Sequence, residues 1–277
     1  MKLIAELCQN HNGKREILDE MILKASKNAD IIKIQTILAD SLTYREKFEK
    51  YRSFNEEYSR LKKLELKVED EKYFIDKCRS LSVEPMTTLF STKQIDRFNR
   101  LGYSKLKLSG YSLPAFDYGR LLKHLNFDEL FFSTSSLTLD ELEKTINNLD
   151  SLGVKFTMLH CTCIYPTPLE SAFLQNIDFY RTYFELDEIG FSDHSNPYID
   201  GLLVPKLAIF SGISVLERHF TILDKDDTRD GKVSINEKMA EELKNFSKLP
   251  IKEQYLNLNK FNNIQEFNHE YYRGRFQ

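Results

Sequence analysis

The run IIKIQT (31–36) has the length and the β-branched content of a strand, yet Lys33 and Gln35 interrupt its apolar residues. A strand buried on both faces of a parallel sheet should be almost continuous Val, Ile and Leu. Because side chains alternate along a strand, Lys33 and Gln35 share one face and Ile32 and Ile34 the other. VLERHFT (215–221) repeats the pattern, with Glu217 and His219 on one face. Polar and ionic groups in such strands carry a desolvation cost unless partnered, so both runs predict a shared polar site walled by strands.

Outward from these two runs, apolar segments of strand length alternate with helical patterns. LIAELC (3–8) leads to a helix-like stretch from Ile17 to Ala25. After IIKIQT a polar segment, Leu38 to Lys67, reads as an excursion above the sheet, followed by a helix near Glu69 to Leu81. EPMTTL (84–89) precedes a helix near Thr92 to Leu101, KLKLS (105–109) one near Ala115 to His124, and ELFFST (129–134) one from Asp140 to Leu152. KFTMLHCT (155–162), EIGFSDH (188–194) and VLERHFT complete the series, and a helix near Glu237 to Lys248 closes it. Eight such strands predict an α/β chain folded as a closed (β/α)8 TIM barrel over residues 1–250, with 251–277 as a C-terminal extension. An open doubly wound sheet is the alternative, but the first turn lacks the G-x-G-x-x-G pattern of a dinucleotide fold.

Composition bounds the partners. The 39 Lys and Arg nearly balance 42 Asp and Glu, for a formal charge of -3. That balance removes the electrostatic reason to expect nucleic acid or an anionic membrane as partner. The apolar run at the N-terminus is too brief for a signal-peptide core. Four cysteines, Cys8, Cys78, Cys161 and Cys163, without a C-x-x-C pair, suit a reducing cytoplasm.

In a barrel of this kind reacting groups belong at the C-terminal ends of strands. There the sequence places Glu6 inside strand 1 with Asn10 and His11 just after it, and Thr87 and Thr88 at the end of strand 3. Lys107 and Ser109 end strand 4, Ser133 to Ser136 strand 5, His160, Thr162 and Tyr165 strand 6, and Asp193 and His194 strand 7. Lys33, Lys107 and the hydroxyls of Thr88 and Ser133 suit a phosphate or carboxylate, since an ammonium offers charge and several donors. His194 and His219 offer neutral imidazoles to one divalent metal, with Glu217 or Asp230 as ligand or supporting carboxylate.

The strings IAELCQNHNG (4–13), IIKIQT, MLHCTCIYPTP (158–168), IGFSDHS (189–195) and VLERHFT, read in order, resemble the sialic acid synthase family. The resemblance spans nearly the whole barrel, to about Ser234. It implies condensation of phosphoenolpyruvate with an N-acetylated amino sugar aldehyde, and a manganese or magnesium ion held by His194 and His219. Glu6 matches a carboxylate at the junction of the two substrates, and Lys33 and Gln35 match a pair that contacts substrate. Thr88, Lys107, Ser133 and Cys163 match phosphoenolpyruvate-binding positions, Tyr165 and Asp230 sugar-site positions.

The sequence departs from that family in three places. Cys163 stands where an Asn amide is common. The segment after strand 4, KLSGYS, offers Ser109, Gly110 and Ser112 but no carboxylate. The chain stops at EYYRGRFQ (270–277), about where family members continue into an antifreeze-like domain that closes over a partner subunit's site. A homodimer or a separate lid protein would supply that closure. So would Tyr44, Arg45, Tyr51, Arg52, Tyr58 and Arg60 of the excursion, or Tyr271, Tyr272, Arg273 and Arg275 of the tail. Two other classes stay open: a catalytically silent binding or regulatory subunit, and a Schiff-base aldolase using Lys33 or Lys107.

Overall fold

A computed structural model of the chain describes residues 1–115 and 123–259. Its eight barrel strands are β1 (Lys2–Cys8), β2 (Ile31–Thr36), β3 (Glu84–Leu89), β4 (Lys105–Leu108), β5 (Glu129–Ser133), β6 (Phe156–Cys161), β7 (Ile189–Asp193) and β8 (Val215–Phe220). All pair in parallel with their sequence neighbours, and β1 also pairs with β8, which closes the barrel as expected. A short ninth strand, β9 (Ser234–Ile235), extends β8.

Helices α1 (Arg15–Ala25), α2 (Glu46–Glu49), α3 (Phe54–Leu64), α4 (Val68–Ser80) and α5 (Ile95–Leu101) lie in the first half. The second half carries α6 (Leu139–Ser151), α7 (Gln175–Tyr183), α8 (Leu203–Phe210), α9 (Glu237–Lys248) and α10 (Ile251–Asn259). The polar excursion thus contains two helices, α2 and α3. The helix expected near Ala115 to His124 falls largely on residues 116–122, outside the described residues, as does the tail from residue 260. No helix among the described residues is long and apolar enough to cross a membrane.

Local sequence sets the helix starts. Thr138 and Glu141 form a reciprocal capping box on α6, and the Asn236 side chain accepts from the Met239 N–H at the start of α9. Ser91 and Gln94 make a second capping box on the 3-10 turn that leads into α5. Gln94, buried, also ties down the rim: its amide donates to the Thr36 carbonyl and its Oε1 accepts from the Phe90 N–H.

Period two sorts the strand side chains. Odd or even positions facing the helices join one large apolar cluster, including Leu3, Ala5, Ile32, Ile34, Leu106, Leu108, Phe132, Met158, Phe191 and Leu216. The opposite face fills the barrel with a separate cluster of six: Ile4, Ile31, Met86, Phe131, Leu159 and Val215. Each such buried side chain contributes roughly 1.5–3 kcal/mol from leaving water. Gly190 belongs to this inward series, since a Cβ there would lie 2.4 Å from Leu159 Cδ2 and 2.8 Å from the Val215 carbonyl oxygen. At the N-terminal end, Lys105 pairs with the buried Glu129 at 3.0 Å.

Candidate active site

Two residues beyond the apolar layer, the same inward faces turn polar. The strand register sets Glu6 opposite both Lys33 and His219, Gln35 opposite Thr88, Thr88 opposite Lys107, and Ser192 opposite Glu217. The resulting cavity, about 70 Å³, is lined by Glu6, Lys33, Gln35, Thr88, Lys107, Ser133, Cys163, Tyr165, His194 and His219. Glu6, Lys33, Gln35, Thr88, Lys107, Ser133, Glu217 and His219, all expected at the site, therefore reach one chamber at the C-terminal end of the barrel. Asp230 lies on the wider cleft of about 770 Å³ onto which the chamber opens.

Charges in the chamber are paired. Lys33, 1% exposed, contacts Glu6, donates to Thr88 Oγ1 at 2.9 Å and lies 3.7 Å from Glu217 Oε2. Burial draws the Lys33 ammonium down to about 7 despite the opposing pull of Glu217. Glu217 accepts from Lys107, and from Ser192 at 2.8 Å. Burial alone would raise the Glu217 carboxyl, but Lys107 and Lys33 outweigh it and hold it well below the usual carboxylate range. Lys107, with Glu217 as its one partner among the described residues, keeps donors to spare, since an ammonium has three. Beside Lys107 stand Ser133 and Ser135, their hydroxyls 3.2 Å apart, and the Gly110 N–H donates to Ser133 Oγ at 3.0 Å. Only glycine fits at position 110, because a Cβ would meet the Ser135 carbonyl oxygen at 2.2 Å.

Across the chamber the rings of His194 and His219 stand 5.1 Å apart at 65°. Burial, reinforced by Lys107, lowers His194 to about 3, and burial with the neighbouring His194 holds His219 well below its ordinary value. Both are thus neutral imidazoles, the form that ligates metals. The donor set around His219 fits a divalent ion. Among the described residues, His219 Nδ1 is buried without a hydrogen-bond partner, and Cys8, His219 and Asp230 bring ligand atoms within 4.8 Å of one another. His194 Nε2 shares a 2.9 Å hydrogen bond with the Tyr165 hydroxyl.

The excursion reaches the site in part. Ser41, Arg52, Glu57 and Arg60 wall the cleft, whereas Tyr44, Arg45, Tyr51 and Tyr58 are not among its lining residues. Glu57 gathers Arg52 at 3.1 Å, Arg60 at 2.7 Å and Arg229 at 3.9 Å. Tyr271, Tyr272, Arg273 and Arg275 lie outside the described residues. The loop after β4 contributes Ser109 and Tyr111 to the chamber and Ser112 to the cleft, and among the described residues no carboxylate from that loop is in either lining.

Several polar residues singled out at strand ends serve the scaffold instead. Thr87 faces the helices and bonds Thr36 at 2.7 Å, and His160 Nε2 bonds the Ala172 carbonyl at 2.9 Å. Asn10 ties the end of β1 to Phe220, Ser234 and Thr228, and His11 Nδ1 accepts from the Gly13 N–H. Asp193 accepts from the fully buried Arg218 and from Ser195 at 2.9 Å. Further lining residues, Cys161, Ser192, Phe90 and Tyr111, are not among the site candidates the sequence marks, although Cys161, Ser192 and Tyr111 lie inside the strings MLHCTCIYPTP, IGFSDHS and KLSGYS. Strand parity would have marked Cys161 and Ser192, which continue the inward series of Leu159 and Gly190.

This arrangement has known relatives. A family model, that of the NeuB family, matches residues 21–253. The chain belongs to the NeuB family. The N,N'-diacetyllegionaminic acid synthase of Legionella pneumophila is 32% identical over 259 residues, which cover 88% of this chain and 69% of that protein. Its counterpart in Campylobacter jejuni is 30% identical over 234 residues, 81% of this chain and 68% of the relative. Among solved structures, N-acetylneuraminic acid (sialic acid) synthetase from Leptospira borgpetersenii superposes with a TM-score of 0.75 at 21% identity, covering 98% of this chain and 92% of that one. At that identity the likeness speaks for the barrel, and the family rests on the sequence matches. The sialic acid synthase resemblance expected from the motifs is borne out at the level of the family.

Proposed function

We propose that the chain condenses phosphoenolpyruvate with an N-acetylated amino sugar aldehyde to give a nonulosonic acid and phosphate. The observation that carries this reading is the junction of an ammonium and hydroxyl cradle with two neutral imidazoles in a single chamber. In the reaction C3 of phosphoenolpyruvate forms a bond to the aldehyde carbon, water adds at C2, and the C2–O bond to phosphate breaks.

Lys107, Ser133 and Thr88, with Cys163 beside them, bind the phosphate and carboxylate of phosphoenolpyruvate, their fixed charge needing little reorganisation as the reaction proceeds. Glu6, against Lys33, sits where the two substrates meet, and Lys33 and Gln35 orient them. Tyr165 and Asp230 position the sugar at the mouth of the chamber. His194 and His219, with Asp230, would hold a manganese or magnesium ion. When bound, the metal supplies Lewis-acid polarisation of the aldehyde. The cleft walled by Arg52 and Arg60 receives the remainder of the acceptor, and a second copy of the chain or a separate lid protein completes its closure.

In this reading residues 1–250 form the synthase domain and 251–277 an extension that begins with α10. The tail opens against the barrel, since Gln254 donates to the Leu249 carbonyl at 3.0 Å and Tyr255 lies 6.4 Å from Phe210, ring to ring. Four free cysteines suit the cytoplasm as its compartment.

Incubation with phosphoenolpyruvate, manganese and a panel of N-acetylated and diacetamido hexoses should release phosphate. No release with any acceptor, under conditions where a relative turns over, overturns the reading. One other reading, a silent subunit, is favoured by the run KLSGYS at the end of β4, which offers Ser109 and Ser112 and no carboxylate; that protein would bind phosphoenolpyruvate in calorimetry without turnover.

A further inference from the structure

We infer that Cys8 is itself a metal ligand, acting with His219 and Asp230, and that its sulfur turns the site toward softer divalent ions such as zinc or cobalt. The inference rests on the reading of the chamber as a metal-assisted site. Cys8 ends β1 at a register shift and adopts a φ of 41°, a left-handed conformation that a side-chain-bearing residue takes at a cost. That turn, held by a 2.6 Å hydrogen bond from the Cys8 N–H to Glu6 Oε1, sends the thiol inward, fully buried. Its Sγ donates to Asp230 Oδ2 at 3.2 Å, and His219 Nδ1 lies 3.7 Å from the same oxygen.

Two features make this more than a buried thiol. His219 Nδ1, on a residue 4% exposed, faces the pair with no hydrogen-bond partner among the described residues. No other group of three or more His, Cys, Asp or Glu among the described residues converges in this way. A metal would replace the thiol hydrogen as the electrophile between sulfur and carboxylate and would satisfy the idle nitrogen. A set of one sulfur, one nitrogen and one oxygen matches borderline-soft ions, whereas manganese and magnesium favour oxygen.

The test uses the full chain freed of metal by chelation and titrated with cobalt(II) alone. Wild type should develop a near-ultraviolet thiolate-to-cobalt charge-transfer band. Cys161→Ser and Cys163→Ser should keep the band, and Cys8→Ser should lose it while still binding cobalt. In competition, Cys8→Ser should narrow the preference for zinc over manganese by on the order of tenfold or more. X-ray absorption at the zinc edge of the unmutated chain should show a sulfur neighbour, a readout that needs no variant to fold. Cobalt bound without the band, a band that survives Cys8→Ser, or a zinc shell of nitrogen and oxygen alone overturns the inference. Phosphate release from phosphoenolpyruvate and sugar reports separately on the proposed reaction: release without a sulfur ligand sinks the inference alone, and a sulfur ligand without release sinks the reaction alone.

Discussion

Two layers of one barrel, built from the same strands and two residues apart, have opposite chemistry. Below lie Ile4, Ile31, Met86, Phe131, Leu159 and Val215, a dry apolar plug. Above lie Glu6, Lys33, Thr88, Ser133, Cys161 and Glu217, almost equally buried and mostly polar. Backbone position cannot explain the contrast, because each pair shares a strand and a direction. The lower layer resolves its burial by shape. The upper layer resolves it by pairing each carboxylate with an ammonium, an arrangement seldom chosen for stability alone. Stability and chemistry are thus stacked along the barrel axis, and substitutions in the two layers should separate them.

The largest effect belongs at the polar rim. His219→Ala or His194→Ala should cut phosphate release by roughly a thousandfold or more, about 4 kcal/mol in the barrier, and remove bound manganese by elemental analysis. The unfolding midpoint should move little, because an open rim can fill with water. A collapse of stability together with activity would erase the distinction between the layers.

The reverse experiment belongs below. Phe131→Ala opens a cavity in the plug and should cost about 3–5 kcal/mol in urea unfolding. Phosphate release per folded molecule should survive. Loss of turnover in a protein still folded would show that the plug shapes the chamber as well as supporting it.

These layers explain how much was legible from the chain alone. The barrel was readable because eight apolar runs of strand length recur, and the chamber because Lys33, Glu217 and His219 sit at period two inside runs that should be apolar. Helices α7 and α8 announced themselves poorly. Gln175–Tyr183 buries only Ile177, and Leu203–Phe210 is apolar nearly all round, with Pro205 in its first turn, so neither shows a polar stripe against an apolar one. Asp193 and His160 look like site residues by composition, and parity alone sends them outward. The grouping of Cys8 with Asp230 spans 222 positions and depends on a left-handed turn at Cys8, which no local pattern of residue types announces.

A smaller effect, set by pH, involves buried histidines outside the chamber. Burial holds His11 down to about 4 and lowers His160 as well. A folded pKa below the unfolded value of 6.5 means that the unfolded chain takes up the proton first as pH falls. Stability should therefore decline from pH 6.5 downward, through about pH 4 for His11, at up to about 1.4 kcal/mol per pH unit for each group. Urea unfolding of wild type against His11→Asn, between pH 7 and 4, measures the difference; identical slopes would mean that His11 titrates in the folded chain as it does in water.

The smallest effect lies farthest from both layers, at the cleft wall. Arg52 is half exposed, and its guanidinium shares the Glu57 carboxylate with Arg60 and Arg229. Three guanidiniums around one carboxylate leave donors free to face the cleft, and Arg52 lines it while Arg45 does not. Arg52→Ala should raise the acceptor KM by roughly three- to tenfold, about 1 kcal/mol, with the KM for phosphoenolpyruvate unchanged. Arg45→Ala should change neither. A rise for Arg45→Ala and none for Arg52→Ala would mean that the excursion shifts when sugar binds. Equal kinetics in both, with a rise on truncation after Asn268, would move acceptor recognition to the tail. In the expected case the chamber holds the reacting atoms by fixed buried charge, and the outer wall tunes the acceptor through exposed side chains whose loss leaves the chemistry beneath them intact.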